Sequence, residues 1–443
     1  MQEGSALLDR TRASGQDGRV RFLFPDDPAR RRLRDRWLFG LALVLALVIV
    51  LRAARKSDGV LVRNQEWGAR FLEHHDPYDD TIRGGRLHGP YPPSYAIVCA
   101  PLSLVPTGAA RVAWASAQIA AIAALFVLVR RWLERGWPRA APHASVLFAF
   151  GLLLASRYVL RDTSGGGGNT LYATALLWGV ELAWSGRVLA PAVLVALPLA
   201  LKPNLAPLAL VLVLRGRWRA FAALLVVLAL CLGLPGLWYG PEAWKELWLR
   251  WFADVSAYAA VDDLSSVARV PAGFPVDDSG MNQSLRAAFS RAATTLGGGP
   301  DDALLAWGKW LARAGAVAAL CAAAWASLRA RSSRSEILAL LAFLPASLLA
   351  SPITWKAHHA VLVGLFALLA ASAFEDGRRR ALTWFLAAYW LCCGLLSEEV
   401  VGRTAKAWLQ SVSIVTWFTI VLLVVAIREA RSVDRAAATA TPG

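Results

Sequence analysis

Few side chains in this sequence could move a proton or hold an anion, and they gather in short polar stretches. The densest is residues 71–93, which begin FLEHHDPYDD. Asp76 within it could take a proton from a hydroxyl during group transfer, the task of a general base. Asp76-Pro77-Tyr78 also suits a plain turn, because Asp and Pro both favour turns. Asp79 and Asp80 could add oxygen ligands for Mg²⁺ or Mn²⁺, although a solvated acidic turn has the same composition. His358 and His359 follow SPITWKA at a helix start. Adjacent residues on a helix face different ways, so a shared metal is not expected; one ring can bond a phosphate or carboxylate while the other packs. Lys202 interrupts ALPLALKPNLAPLAL, which is costly unless it reaches the interface or meets an anion. Lys356 beside the histidines is read as a snorkelling residue. GGGGN at 165–169 is a flexible turn, or a nest whose N–H groups face an anion at a helix start. Asn282-Gln283-Ser284, with Arg286 and Arg291, opens an amphipathic segment that reads as a surface helix or as a phosphate contact.

The elements that must position these residues are apolar. Of 443 residues 57% are hydrophobic and 20 are Trp, and apolar runs of about 15–25 residues recur, the length that crosses a bilayer core. The fold class expected is an all-α polytopic membrane protein, a single bundle. The net charge of +16 comes mainly from Arg clusters between the runs, as the positive-inside rule predicts for cytoplasmic loops. No basic domain is large enough for nucleic acid. Cys99, Cys231, Cys321, Cys392 and Cys393 lie in or beside apolar runs, form no CxxC pair, and are expected to be small buried hydrophobes.

In chain order, residues 1–36 form a cytoplasmic arm with no cleavable signal, 37–427 a transmembrane domain, and 428–443 a disordered cytoplasmic tail. Crossings are expected at 37–51, 108–129, 143–160, 170–184, 188–201, 205–214, 220–239, 303–328, 335–350, 358–373, 381–397 and 407–427, about twelve in all. The last two short ones before 220 suggest a broken hairpin, and 94–105 an interfacial segment. Long outer loops fall at 54–92 and 240–302, the latter acidic (Asp254, Asp262, Asp263, Asp277, Asp278). In this arrangement Asp76, Asn169, Lys202, Asn282 and His358–His359 all come out on the extracytoplasmic side.

These landmarks form an ordered series: Asp76-Pro77-Tyr78, Tyr91-Pro92-Pro93 leading to PLSLVP, Trp114, GGGGN169, LALKPN around Lys202, MNQSL at 281–285 and SPITWKAHH at 351–359. The series resembles glycosyltransferase family 87, of the GT-C superfamily of polyprenyl-phosphate-sugar-dependent membrane enzymes, over roughly residues 37–375. The resemblance implies a GT-C-like bundle in the plasma membrane and inverting transfer of a hexose, typically mannose, from a polyprenyl-phosphate donor to a lipid or glycan acceptor. It places the catalytic base at Asp76 and a functional histidine at His358 or His359. Tyr78, Tyr91, Asn169, Lys202, Asn282, Gln283, Arg286 and Trp355 become candidates for substrate contact. The chain departs from the family pattern at GGGG and at Lys356. Because nucleotide sugars stay in the cytoplasm, an outer site needs a lipid-carried donor. Lys202, Arg286 and the glycine turn are then candidates for its phosphate. No metal or cofactor is expected, since cations can stabilise a departing lipid monophosphate. A transfer of arabinose or glucose is the near alternative. A transporter, which would show repeated halves and midplane charges, is the more distant one.

Overall fold

The computed structural model describes residues 23–55, 59–78, 91–260, 274, 282–297, 302–375, 380–395 and 398–440. Every regular element among them is helical, and the one non-helical pairing is an antiparallel bridge between Asn282 and Trp355. The first half holds α1 (Pro28–Arg55), α2 (Val60–Leu72), α3 (Ala96–Ser103), α4 (Thr107–Gly136), α5 (Ala144–Leu154), α6 (Ser156–Gly165), α7 (Asn169–Trp184), α8 (Leu189–Leu201) and α9 (Leu210–Leu214). The second holds α10 (Trp218–Tyr239), α11 (Pro241–Ala260), α12 (Leu285–Leu296), α13 (Asp302–Arg329), α14 (Ser333–Ala350), α15 (Val363–Glu375), α16 (Arg380–Tyr389), α17 (Glu398–Ser411) and α18 (Ile414–Ala440).

Among the described residues six helical stretches are long and apolar enough to cross a bilayer: α1, α4, α10, α13, α14, and the run Lys356–Glu375 that ends in α15. Two bent pairs, α5 with α6 and 380–395 with 400–411, would bring the number to eight. The protein is therefore a multi-span helical membrane protein. Of the remaining crossings expected from the sequence, 170–184 and 188–201 coincide with shorter helices, α7 of 16 residues and α8 of 13, and 205–214 ends in the five-residue α9. The crossing expected at 407–427 falls on the end of α17 and the start of the 27-residue α18, which is not among the six.

Burial separates the spans into two kinds. Along α1 the apolar side chains face outward, with Trp37, Phe39, Leu43 and Leu47 all exposed, as a lipid-facing helix requires. By contrast α14 is buried along most of its length and packs against α13 and α18. It sits in the large apolar core with α15, where Phe343, Leu344, Phe366 and Leu368 are fully buried. A second, aromatic core gathers Trp67, Phe71, Tyr78, Tyr95, Trp114, Tyr172, Tyr239 and Trp244.

Several expectations are corrected. The span expected over 143–160 breaks at Ala155, where α5 and α6 meet at 74°. The stretch 54–92 contains helix α2, whose apolar face (Leu61, Trp67, Phe71) is buried in the aromatic core, so it is not a simple loop. The long acidic stretch 240–302 likewise contains α11 and α12. Residues after Arg428 continue α18 to Ala440, and Asp434 accepts hydrogen bonds from Ser335 Oγ (2.9 Å) and Arg331 N (3.1 Å), which anchors that end. Of the cysteines only Cys99 and Cys393 are buried, and Cys321 is exposed.

Candidate active site

Lys202 stands where a helix is forced to stop. Pro203 lacks an N–H and pushes the preceding residue out of the helical region; Lys202 accordingly caps α8 with extended dihedrals, φ −145° and ψ 93°. Its side chain does not snorkel. The residue is only 7% exposed, and Nζ donates to Gly167 O (2.9 Å) and Asn169 Oδ1 (3.3 Å). The ammonium also lies 5.3 Å and 5.6 Å from the Tyr91 and Tyr172 ring centroids, within cation–π range.

The glycine turn that Lys202 meets is organised by a carboxylate the sequence reading passed over. Asp162 is fully buried. It accepts from Asn169 N (3.1 Å), Asn169 Nδ2 (2.6 Å), Thr170 N (3.0 Å) and Thr170 Oγ1 (3.2 Å). Its backbone carbonyl takes the N–H groups of Gly166 and Gly167. The nest expected at GGGGN is thus filled by the chain's own acceptors. Glycine is required here because Gly166 and Gly168 have φ of 78° and 71°, and a Cβ on Gly167 would stand 2.3 Å from Asp162 Oδ1. Asn169 links the two buried groups, donating to Asp162 and accepting from Lys202, so their opposite charges are held near each other where water is excluded.

The histidine segment is held by Asn282, which is fully buried. Its Nδ2 donates to Pro352 O (3.1 Å), and its Oδ1 accepts from Thr354 N (3.0 Å) and Ser284 N (3.2 Å). Gln283 N donates to Thr354 O (2.6 Å), and Thr416 Oγ1 donates to Gln283 O (2.8 Å). Ser284 then caps α12 by accepting from Ala287 N (3.2 Å). Asn282 and Gln283 therefore position the segment 351–355 that leads into the histidine turn. Trp355 presents a buried indole N–H with no acceptor among the described residues.

The two histidines part ways. His359 is 1% exposed, packs 5.2 Å from the Tyr158 ring, and bonds Thr419 through Nε2 (3.2 Å). Thr419 Oγ1 donates to Val415 O (2.7 Å), so His359 Nε2 is the donor of that pair. His358 is half-buried and lies within electrostatic reach of Lys202. Its Nδ1 accepts from Trp355 N (3.2 Å), which leaves the neutral ring's proton on Nε2.

Asp76 occupies a rim over the aromatic core. Its Oδ1 accepts from Tyr78 N (2.8 Å), closing the turn that Asp-Pro favours, and its Oδ2 pairs with Arg250 of α11. Arg250 also reaches Tyr78 O (3.4 Å). The Asp76 side chain is 34% exposed and that of Arg250 48%, so the pair is open to solvent. Two residues earlier His74 adopts φ 59° and stacks on Trp238 and Tyr239, a structural use of a residue in the histidine-rich stretch. Tyr78 is buried at right angles to Trp67, and its OH donates to Tyr91 O (2.7 Å). Burial, reinforced by the Asp76 charge, pushes the Tyr78 phenol well above its ordinary pKa, so it remains a donor. Tyr91 stacks on Tyr95 with centroids 4.5 Å apart.

A continuous set of contacts thus runs from Asp76 through Tyr78 and Tyr91 to Lys202 and Asn169, with the His358 ring within electrostatic reach of Lys202. Arg286 stands apart from it: its guanidinium donates to Tyr258 O (2.6 Å) and lies over the Tyr258 ring at 4.8 Å. Asp79, Asp80, Asp262, Asp263, Asp277 and Asp278 lie outside the described residues. Asp162 could have been found from RDTSGGGGNT, a carboxylate one helical turn before four glycines. Arg250 had no comparable signal, since its stretch was read as a loop.

Buried polar side chains bonded to one another inside a multi-span helical bundle, with a partly exposed carboxylate at the rim, mark an integral membrane protein built around a polar site. Within that class, the model of glycosyltransferase family 87 matches residues 90–352, more than half of the chain, and the chain belongs to that family. It is a membrane glycosyltransferase. No curated protein and no solved structure matches it. The matched stretch includes Tyr91, Asn169, Lys202, Asn282, Gln283 and Arg286, while Asp76, Trp355, His358 and His359 lie beyond its ends.

Proposed function

We propose that this enzyme transfers a sugar, with mannose the first candidate, from a polyprenyl-phosphate carrier to a lipid or glycan acceptor on the extracytoplasmic face of the plasma membrane, inverting the anomeric centre. The observation that carries the reading is the Asp76 carboxylate. It is solvent-accessible, aimed by a backbone N–H and a guanidinium, and joined to the buried polar network through Tyr78 and Tyr91. Each carboxylate oxygen has two lone pairs, so both can accept a further proton donor with these contacts in place.

In this scheme the acceptor hydroxyl gives its proton to Asp76 as its oxygen bonds to the anomeric carbon. The bond from that carbon to the phosphate oxygen breaks, and polyprenyl phosphate leaves with the electron pair. Lys202 uses two of its three donors on Gly167 and Asn169 and has one left for a sugar or phosphate oxygen. His358 Nε2–H and the Trp355 indole N–H add neutral donors nearby. No metal enters the scheme. Of the two histidines His358 is the substrate-facing one, because His359 is packed against Tyr158 and Thr419.

Sealed membrane vesicles of both orientations, expressing the full chain and given native lipid extract as acceptor, test the reading. Radiolabelled polyprenyl-phosphate mannose should label product at the extracytoplasmic face, whereas GDP-mannose without a carrier-charging enzyme should not. Direct use of the nucleotide sugar would contradict it. Product from polyprenyl-phosphate arabinose or glucose in place of mannose would keep the carrier and replace the sugar.

A further inference from the structure

We propose that the recess between Arg157, Lys356 and Lys406 binds the phosphate group of an anionic lipid. Lys356 opens the turn that carries the histidines and is 5% exposed, yet its ammonium makes no hydrogen bond or ion pair with a described residue. It shares the wall of a narrow pocket with Arg157 at the start of α6, Lys406 of α17 and the buried Gln283. Arg161 is close enough to add its charge. Among the described residues that line this pocket there is no carboxylate; Lys406 pairs with Glu398 (2.5 Å), which also meets Arg403 (2.8 Å).

Several cations gathered in a water-poor recess repel one another, and an isolated buried ammonium costs several kcal/mol unless an anion joins it. A phosphate suits such a group because its oxygens can accept from point-like ammonium donors and a guanidinium fork together. The rest of the wall is apolar, supplied by Cys392, Leu409, Ile414 and Val415. That pairing of cations with a hydrocarbon surface fits a lipid phosphate better than a free one. Trp408, Val400 and Val412 on the same helix and its continuation are exposed, as for a segment at a membrane interface.

The inference deepens the reading above and rests on it only for the statement that the lipid is a transfer substrate. Gln283 and Trp355 connect the recess to the segment that holds His358, so a phosphate here would lie beside the histidine turn. Of the cations first expected to hold it, Arg286 is engaged with Tyr258 and Lys202 keeps a single donor, so neither could hold a phosphate alone. Binding needs no turnover, so loss of the site and loss of the transfer reading are separable.

The test uses the full chain in nanodiscs of neutral lipid. Equilibrium binding and thermal unfolding are followed on titration with farnesyl phosphate, farnesol and inorganic phosphate. Wild type should bind farnesyl phosphate and be stabilised by it, with no response to farnesol. Lys356→Met and Arg157→Gln should each weaken binding by about tenfold or more, as expected for losing a hydrogen bond to a charged group. Lys356→Met without ligand should unfold no lower than wild type, because a buried charge has been removed, and this separates lost binding from lost folding. Unchanged affinity in both variants, or equal binding of farnesol, would overturn the proposal. Inorganic phosphate binding as tightly as farnesyl phosphate would overturn the lipid source.

Discussion

The rim around Asp76 and the interior around Asp162 and Asn282 use the same residue types to opposite ends. At the rim one carboxylate meets one guanidinium and one N–H, with both ionic partners about a third to a half exposed. In the interior Asp162 accepts four donors, and Asn282 makes three side-chain bonds at zero exposure. A solvated ion pair is worth about 0–1 kcal/mol, so the rim can exchange its partners for a substrate at little cost. Breaking a buried, fully bonded group costs several times more. Polar groups inside this bundle therefore fix geometry, and the carboxylate that can exchange its partners sits at the rim.

Substitutions sharpen or break that contrast. Asp162→Ala has the largest expected effect, about 3–5 kcal/mol, because it strands Asn169, Thr170 and the Lys202 charge in a buried place. A thermal melt within a degree of wild type would show that the turn does not depend on it. Asn282→Ala should cost roughly 3 kcal/mol by leaving two buried N–H groups without an acceptor, and its melt should fall correspondingly. Little change would mean that the backbone bridge to Trp355 holds the histidine segment unaided. Tyr78→Phe removes one hydrogen bond to Tyr91 O, about 1 kcal/mol. Arg250→Gln should leave stability within about 1 kcal/mol of wild type while slowing transfer by about tenfold through a less well aimed Asp76. A large loss of stability there would make the rim a structural ion pair and dissolve the distinction.

Much of this contrast was legible in the sequence, and unevenly. Apolar runs announced the helical membrane class, and Lys202 in LALKPN stood out because nothing else in that run is charged. Helices α2 and α11 were less visible, since their apolar faces serve the aromatic core and are diluted by charged residues such as Arg63, Glu66, Lys245 and Arg250. The break at Ala155 carries no Pro or Gly, so an uninterrupted span over 143–160 was the natural reading. Asn282 was singled out, but as a substrate contact, and its structural role was hidden because its partners lie far along the chain; Asp162 was passed over although the four glycines after it were a signal. Lys356 and Lys202 show the same limit from the other side. Their sequence surroundings suit snorkelling, and only packing shows both to be buried, Lys202 bonded and Lys356 without a bond to any described residue.

The central claim is that Asp76 accepts the proton while the interior only positions. Its most direct test is the single-turnover rate of sugar transfer by purified Asp76→Asn, beside its thermal melt. The account predicts a fall of about 10²–10⁴-fold, the range for losing a general base, with the melt unchanged. A rate within a few-fold of wild type would contradict it and move the proton acceptor elsewhere in the protein.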